Sequence, residues 1–174
     1  IMGAAATMKA MGADATGMTI SQIVPMPGNM ALPVVRDFQQ AWKAAKVAQL
    51  LIRGSAGADK QYNNLPSSMR AEPGMRYALA RYYRKNSNFG KAAAVLAKMP
   101  GDAALMGNPE SWWIERRIVA RRSIGPSHPD SSGTAYEIAK NHGMAKGEGA
   151  VEAEFLAGWI ALRYLDKPST ALKH

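Results

Sequence analysis

Apolar residues return at helical spacing in block after block, with a polar turn closing each one. That periodicity leaves little but a stack of helices as the fold. The clearest block opens at Pro73. Met75, Ala78, Leu79, Tyr82 and Tyr83 recur at i, i+3, i+4, i+7 and i+8, while Arg81, Arg84 and Lys85 lie on the other side of the same helix. Pro73 suits a first helical position, where a missing N–H costs nothing. Asn86–Asn88 then breaks the helix, and Ala92, Val95, Leu96 and Met99 repeat the pattern. So short a turn must fold the second helix back on the first, which predicts an antiparallel hairpin over residues 73–100.

The same logic runs along the rest of the chain. Phe38, Ala41, Trp42, Ala45, Ala48 and Ile52 mark a helix closed by Gly54, and a short helix over Ala58–Leu65 completes a segment at 33–66. Asn108 and Pro109 read as N-cap and first residue of a helix reaching about Ser123. A loop rich in Gly, Pro, Ser and Asp (Gly125–Ser132) follows. Ala135, Ile138, Ala139 and His142 then mark a partner helix stopped by Gly143, giving a second hairpin over 108–143. A third long helix covers Ala150–Leu165, and Pro168 opens another, so that 150–174 reads as the start of a further hairpin. Residues 1–31 form a less defined helical start, with six methionines and few charges. Helices over Ala4–Met11 and Asp14–Val24 are expected there, ended by Pro25, Pro27 and Gly28.

Ala92, Ala135 and Ala171 open the second helices at intervals of 43 and 36 residues. Such intervals belong to helical-repeat arrays, though they are too irregular for a regular tetratricopeptide array. No stretch alternates like a strand between turns. The expectation is an all-α fold: one helical-repeat domain over 1–174, an α-solenoid or superhelix of antiparallel hairpins, tetratricopeptide-like but irregular.

In AEFLAGWIALRYL (Ala153–Leu165), apolar residues cover most of the helix circumference and only Glu154 and Arg163 interrupt them. A helix apolar all round belongs between neighbours. Phe155 and Trp159 are therefore expected in the core, together with Trp112 and Trp113 of the earlier hairpin. Gly158 costs helix propensity, which makes sense if another helix approaches the backbone there.

Chemistry is sparse. There is no cysteine, hence no disulfide, thiolate metal site or thiol nucleophile. His128, His142 and His174 show no paired-ligand spacing, so no metal site is expected. No Gly-rich phosphate loop occurs, and no cofactor is implied. Glu148, Glu152 and Glu154 crowd a helix start, where carboxylates complement the dipole. Ser127–Ser132 has no His–Asp partners. No catalytic residue is assigned. No apolar run approaches the ~18 residues of a membrane span. The chain starts at Ile1 without a basic and apolar leader, so no signal peptide is visible; a mature or trimmed chain reads the same way.

Lys and Arg number 22 against 13 acids, a net charge of +9. Such an excess suits an anionic partner and equally serves solubility. Nothing resembles a helix-turn-helix or an RNA-reading motif, so no specific nucleic acid is expected. The notable charge feature is Arg116, Arg117, Arg121 and Arg122. On a helical wheel they do not share one face, though Arg117 and Arg121 can lie together. They read either as inter-helix salt bridges and solvated charge, or as a basic lining for carboxylates, which Arg grips bidentately.

WWIERRIVAR (Trp112–Arg121), TAYEIAKNHG (Thr134–Gly143), AEFLAGWIALRYL and DKPSTALKH (Asp166–His174) together resemble the soluble lytic murein transglycosylase family. The likeness is to the helical superhelix preceding that family's catalytic domain. LPSSMRAEPGMRYALARYYRKN (Leu65–Asn86) is similar to the family hairpin that follows a Leu-Pro. The likeness covers Leu65–His174 and is weak over 1–60. It implies a periplasmic parent that cleaves the N-acetylmuramic acid–N-acetylglucosamine bond without water, leaving a 1,6-anhydro end. In the family one Glu of a C-terminal lysozyme-like domain does this, in a Glu-Ser followed by Gly-Leu-Met-Gln. That segment is absent, and Glu110–Ser111 is an isolated pair at a helix start. The chain then reads as a fragment of a longer one: a non-catalytic segment that scaffolds a missing C-terminal catalytic domain or positions peptidoglycan glycan strands, inactive alone. Arg116, Arg117, Arg121 and Arg122 would attract stem-peptide carboxylates. The alternative is a free-standing helical-repeat module that binds protein segments in a concave groove.

Overall fold

The computed structural model describes residues 31–125 and 129–174. The chain divides into two compact units, 1–43 and 44–174, and the core and sites below belong to the second. The helices expected over Ala4–Met11 and Asp14–Val24 lie outside the described residues, as do residues 126–128 of the Gly125–Ser132 loop.

Every regular element among the described residues is helical, as the periodicity requires. In chain order they are α1 (Ala31–Arg53), α2 (Ala58–Asn63), α3 (Ser67–Ala71), α4 (Pro73–Lys85), α5 (Phe89–Leu96), α6 (Ala103–Met106), α7 (Pro109–Arg122), α8 (Ser132–Lys140), α9 (Glu148–Arg163) and α10 (Pro168–Ala171), with a 3-10 turn at Pro129–Ser131. The boundaries follow local chemistry. Proline occupies the first turn of α4, α7 and α10. At the start of α7 the Asn108 side chain accepts from the Ser111 N–H at 3.2 Å, and Asn88 caps α5 by accepting from the Lys91 N–H at 3.3 Å.

Sequential neighbours pack on one another: α4 on α5, α7 on α8, α8 on α9 and α9 on α10. The 73–85 stripe faces as expected, with Met75, Ala78, Leu79 and Tyr82 buried against Val47 and Leu51 of α1 and Tyr62 of α2. The opposite side of α4 is packed as well, with Lys85 left exposed at its end. Its Ala80 joins a second and larger core containing Leu96 of α5, Trp112, Trp113 and Val119 of α7, Ile138 of α8, and Leu156 and Ile160 of α9. α4 is thus shared between two apolar clusters.

Two helices turn a face other than the expected one to the core. In α1 the apolar stripe read from Phe38, Trp42 and Ile52 is exposed, while Val47 and Leu51 are buried. In α9 the expected core residues Phe155 and Trp159 are 71% and 40% exposed, and Leu156, Ala157, Ile160 and Ala161 carry the packing instead. The cause is one-sidedness. α9 has α7 and α8 on one flank and α10 along another, and no described element covers the Val151–Phe155–Trp159–Leu162 line. Trp112 and Trp113, by contrast, are buried as expected. Gly158 also acts as expected: a Cβ there would sit 3.2 Å from the His174 Cβ and 3.3 Å from the Ala171 carbonyl oxygen, so any larger residue would push the α10 segment away by a few tenths of an ångström.

Candidate functional site

The chemically dense part of the molecule is where α7, α8, α9 and α10 meet. α7 supplies the arginines, and each goes somewhere different, as the wheel requires. Arg116 points inward and is 0% exposed. Its guanidinium donates to the Ile138 carbonyl at 3.1 Å, the Met99 carbonyl at 3.0 Å, the Leu96 carbonyl at 3.4 Å and the Pro100 carbonyl at 3.5 Å. These oxygens belong to the C-terminal ends of α5 and α8 and to the chain leaving α5, where helical carbonyls lack intrahelical partners and the dipole is negative. The Arg116 ring-like fork also sits 5.9 Å from the Trp112 ring. Burial pushes its pKa down to about 10, still far above neutrality, so the group is a buried cation whose charge is solvated by backbone carbonyls. Arg116 therefore cannot reach an external polymer, and its assignment to a binding surface is corrected: it ties helices together.

Arg117 and Arg121 do lie together, as their i, i+4 spacing allows. Both grip Glu152 of α9, at 3.2 and 2.8 Å, and the Trp113 Nε1–H donates to the same carboxylate at 2.8 Å. Burial would raise the Glu152 pKa, but the donors from Trp113, Arg117 and Arg121 outweigh it and hold the carboxyl below its ordinary 4.5. Arg122 stands over the Phe89 ring at 5.3 Å. Three of the four arginines thus remain partly accessible, two of them already joined to a carboxylate.

A carboxylate held ionised by folding contributes stability above its unfolded pKa and loses it as pH falls through the lower folded value. Urea unfolding followed from neutral pH downward should show wild-type stability dropping below about pH 4.5. Glu152→Gln should be less stable at neutral pH and lose less on acidification. Parallel pH curves for the two proteins would show that the Glu152 contacts carry no stability.

Two further ionic features have no signal in linear spacing. Glu115 of α7, one residue before Arg116, is almost fully buried and bonded bidentately to Arg84 of α4 through Nε and NH2. The sequence placed Arg84 on the side of α4 away from the apolar stripe and named no partner for it. The other feature is Glu154. Its Oε1 meets the His142 Nε2 at 3.0 Å and its Oε2 meets the His174 Nδ1 at 2.5 Å. The Met144 N–H donates to the His142 Nδ1 at 3.1 Å, and the Tyr136 hydroxyl lies 3.0 Å from the His174 Nε2. The backbone donor fixes His142 as the Nε2–H tautomer, so that it donates to Glu154. Burial opposes the Glu154 charge, but the bonds from His174 and His142 prevail and keep the carboxyl below its usual pKa. Both oxygens are engaged by imidazoles, which makes this carboxylate a clasp joining the end of α8, α9 and the segment after α10. The dipole role read for Glu152 and Glu154 is thus exceeded by specific partners; Glu148 alone stands in the first turn of α9.

Glu154 and His174 also edge an open groove of about 840 Å³ between α9, α10 and the turn at Ala145–Gly147. Its walls are Val151, Phe155, Trp159, Leu162 and Leu172, and its floor includes Ala150, Gly158 and Ala171. Among the described residues no cluster of three or more His, Asp or Glu side chains could hold a metal ion, and no helix is long and apolar enough to cross a membrane. No family model, curated protein or solved structure matches the chain.

Proposed function

We propose that this chain is a non-catalytic superhelical segment of a periplasmic peptidoglycan lytic transglycosylase, with catalysis carried by a lysozyme-like domain elsewhere in the same polypeptide. One observation carries the reading. The segments on which the resemblance rests, TAYEIAKNHG, AEFLAGWIALRYL and DKPSTALKH, meet at a single polar cluster. His142 comes from the first, Glu154 from the second and His174 from the third. WWIERRIVAR joins the same body through the Trp113, Arg117 and Arg121 contacts to Glu152. Segments scattered along a chain and interlocked in this way form one mechanical unit, the kind of rigid support a glycan-cleaving domain would use. In this reading the hairpins stack as an irregular solenoid, and the accessible arginines 117, 121 and 122 draw the carboxylates of stem peptides.

The second reading, a helical-repeat module that binds protein segments, is favoured by the exposed apolar groove beside α9. Purified sacculi separate the two. The 174-residue chain should sediment with sacculi at low salt and be released as salt rises, because exposed charges are screened beyond ~8 Å at physiological ionic strength. Arg117→Ala/Arg121→Ala should weaken retention several-fold, and amidated stem peptides should do the same. The chain alone should release no anhydro-muropeptides, since its sequence has no Glu-Ser followed by the Gly-Leu-Met-Gln segment of the family's catalytic domain. Sacculus retention indifferent to salt and to both arginines would remove the peptidoglycan reading. Anhydro products lost in Glu110→Gln would place catalysis on this chain.

A further inference from the structure

Val151, Phe155, Trp159 and Leu162 recur every three or four residues along α9, so they form one line roughly 16 Å long on its outer side. Each is exposed, as is Leu172 just after α10. No charged residue interrupts the line. Contiguous exposed apolar surface with a polar margin marks an association surface. Beside this ridge lies a hollow, the groove lined by the small residues Ala150, Gly158 and Ala171, with Glu154 and His174 along its polar side. A ridge next to a hollow of matching chemistry is self-complementary, as a two-fold interface requires.

The charges on α9 choose both the occupant and its direction. Glu148 is in the first turn and Arg163 in the last, both exposed, and neither pairs with another described side chain. At 100° per residue, Glu148 falls in line with the apolar ridge and Arg163 on its Trp159 flank. An antiparallel pair of α9 helices brings the Glu148 of each copy toward the Arg163 of the other. A parallel pair would set Glu148 against Glu148. We propose that this groove receives a second copy of the chain, the two α9 helices crossing antiparallel about a two-fold axis with each Phe155 seated on the other copy's small-residue floor. The net charge of +9 opposes any association of two copies, so the apolar ridge and the two Glu148–Arg163 contacts must provide the attraction.

Sedimentation velocity of the 174-residue protein from about 1 to about 200 µM, at physiological salt, reads the proposal directly. A concentration-dependent monomer–dimer equilibrium is expected. Phe155→Ser, at an exposed position, should keep the helical circular dichroism and weaken the dimer at least about 30-fold, the loss typical of an interface anchor. Glu148→Arg and Arg163→Glu should each weaken it about tenfold, because each substitution acts twice across the axis. The double swap should return it to near wild-type strength. A monomer at every concentration overturns the proposal. So does a dimer indifferent to Phe155→Ser, or a double swap no stronger than the single ones. Vesicles of phosphatidylglycerol and phosphatidylcholine form the remaining arm: Phe155-dependent binding of a protein that stays monomeric in solution assigns the face to lipid and overturns the pairing.

Discussion

Arg116→Met should cost about 3–5 kcal/mol of folding free energy, a large part of the stability of a body this size. The substitution keeps much of the side-chain volume and removes the charge. What it cannot replace is the fork that donates to the carbonyls of Leu96, Met99, Pro100 and Ile138. The Leu96 carbonyl keeps the Met99 N–H at 3.1 Å, but each of the others left without a donor costs about 1–3 kcal/mol, less where water can enter. The usual argument that a buried charge can be exchanged for an apolar residue applies to pairs removed together, and here the partners are backbone atoms that no substitution removes. Arg116→Lys keeps the charge but offers a single ammonium to four oxygens spread over two helix ends, and should lose about half as much. Urea unfolding with intrinsic tryptophan fluorescence measures both. A loss below about 1 kcal/mol for Arg116→Met would mean that water satisfies these carbonyls and that the arginine is not what holds α5, α7 and α8 together.

Trp112→Ala should be comparably damaging, at about 3–5 kcal/mol. The indole is nearly fully buried, packs at 5.1 Å on the Tyr77 ring and donates its Nε1–H to the Met106 carbonyl at 3.1 Å. Truncation would remove transfer energy, leave a cavity among α4, α6 and α7, and leave the Met106 carbonyl with the Asn108 N–H at 2.7 Å as its remaining donor. Trp159→Ala is the informative control. The same side chain on α9 stands 40% exposed against the Tyr164 ring, so its loss should cost clearly less, about 1–2 kcal/mol in the monomer. Equal shifts in the unfolding midpoint for the two variants would contradict the burial that separates them.

The same two tryptophans show how far the sequence reaches. Period and punctuation are local properties, and they were legible. The stripe on α4, the prolines opening α4, α7 and α10, the Asn108 cap and the close approach at Gly158 all stand where the residues put them. A hydrogen-bonded turn and a helix start depend on neighbours within four positions, so the chain carries its own instructions for them. The divergence of the four arginines around α7 was legible for the same reason, because a wheel is geometry and nothing more.

What the wheel lacks is a partner. It gave α9 an apolar circumference without saying which sectors α7, α8 and α10 would cover, and Phe155 and Trp159 fell in the sector that they leave open. It set Arg84 opposite the apolar stripe with no partner because Glu115 stands 31 residues away in sequence, and it left Glu154 at a helix start because His142 and His174 arrive from separate elements. It offered Arg116 as a ligand-binding cation, since exposure is the ordinary state of an arginine and nothing nearby in sequence announces two helix C-termini converging on it. The sequence by itself determined the longer helices, the prolines and the Asn108 cap that open them, and the hairpin order, while the short helices Ser67–Ala71 and Ala103–Met106 carried too little period to be read. Only the tertiary structure decided which apolar face is core and which charge is buried, because burial and ion pairing are energies between elements, set by distances that no local pattern encodes.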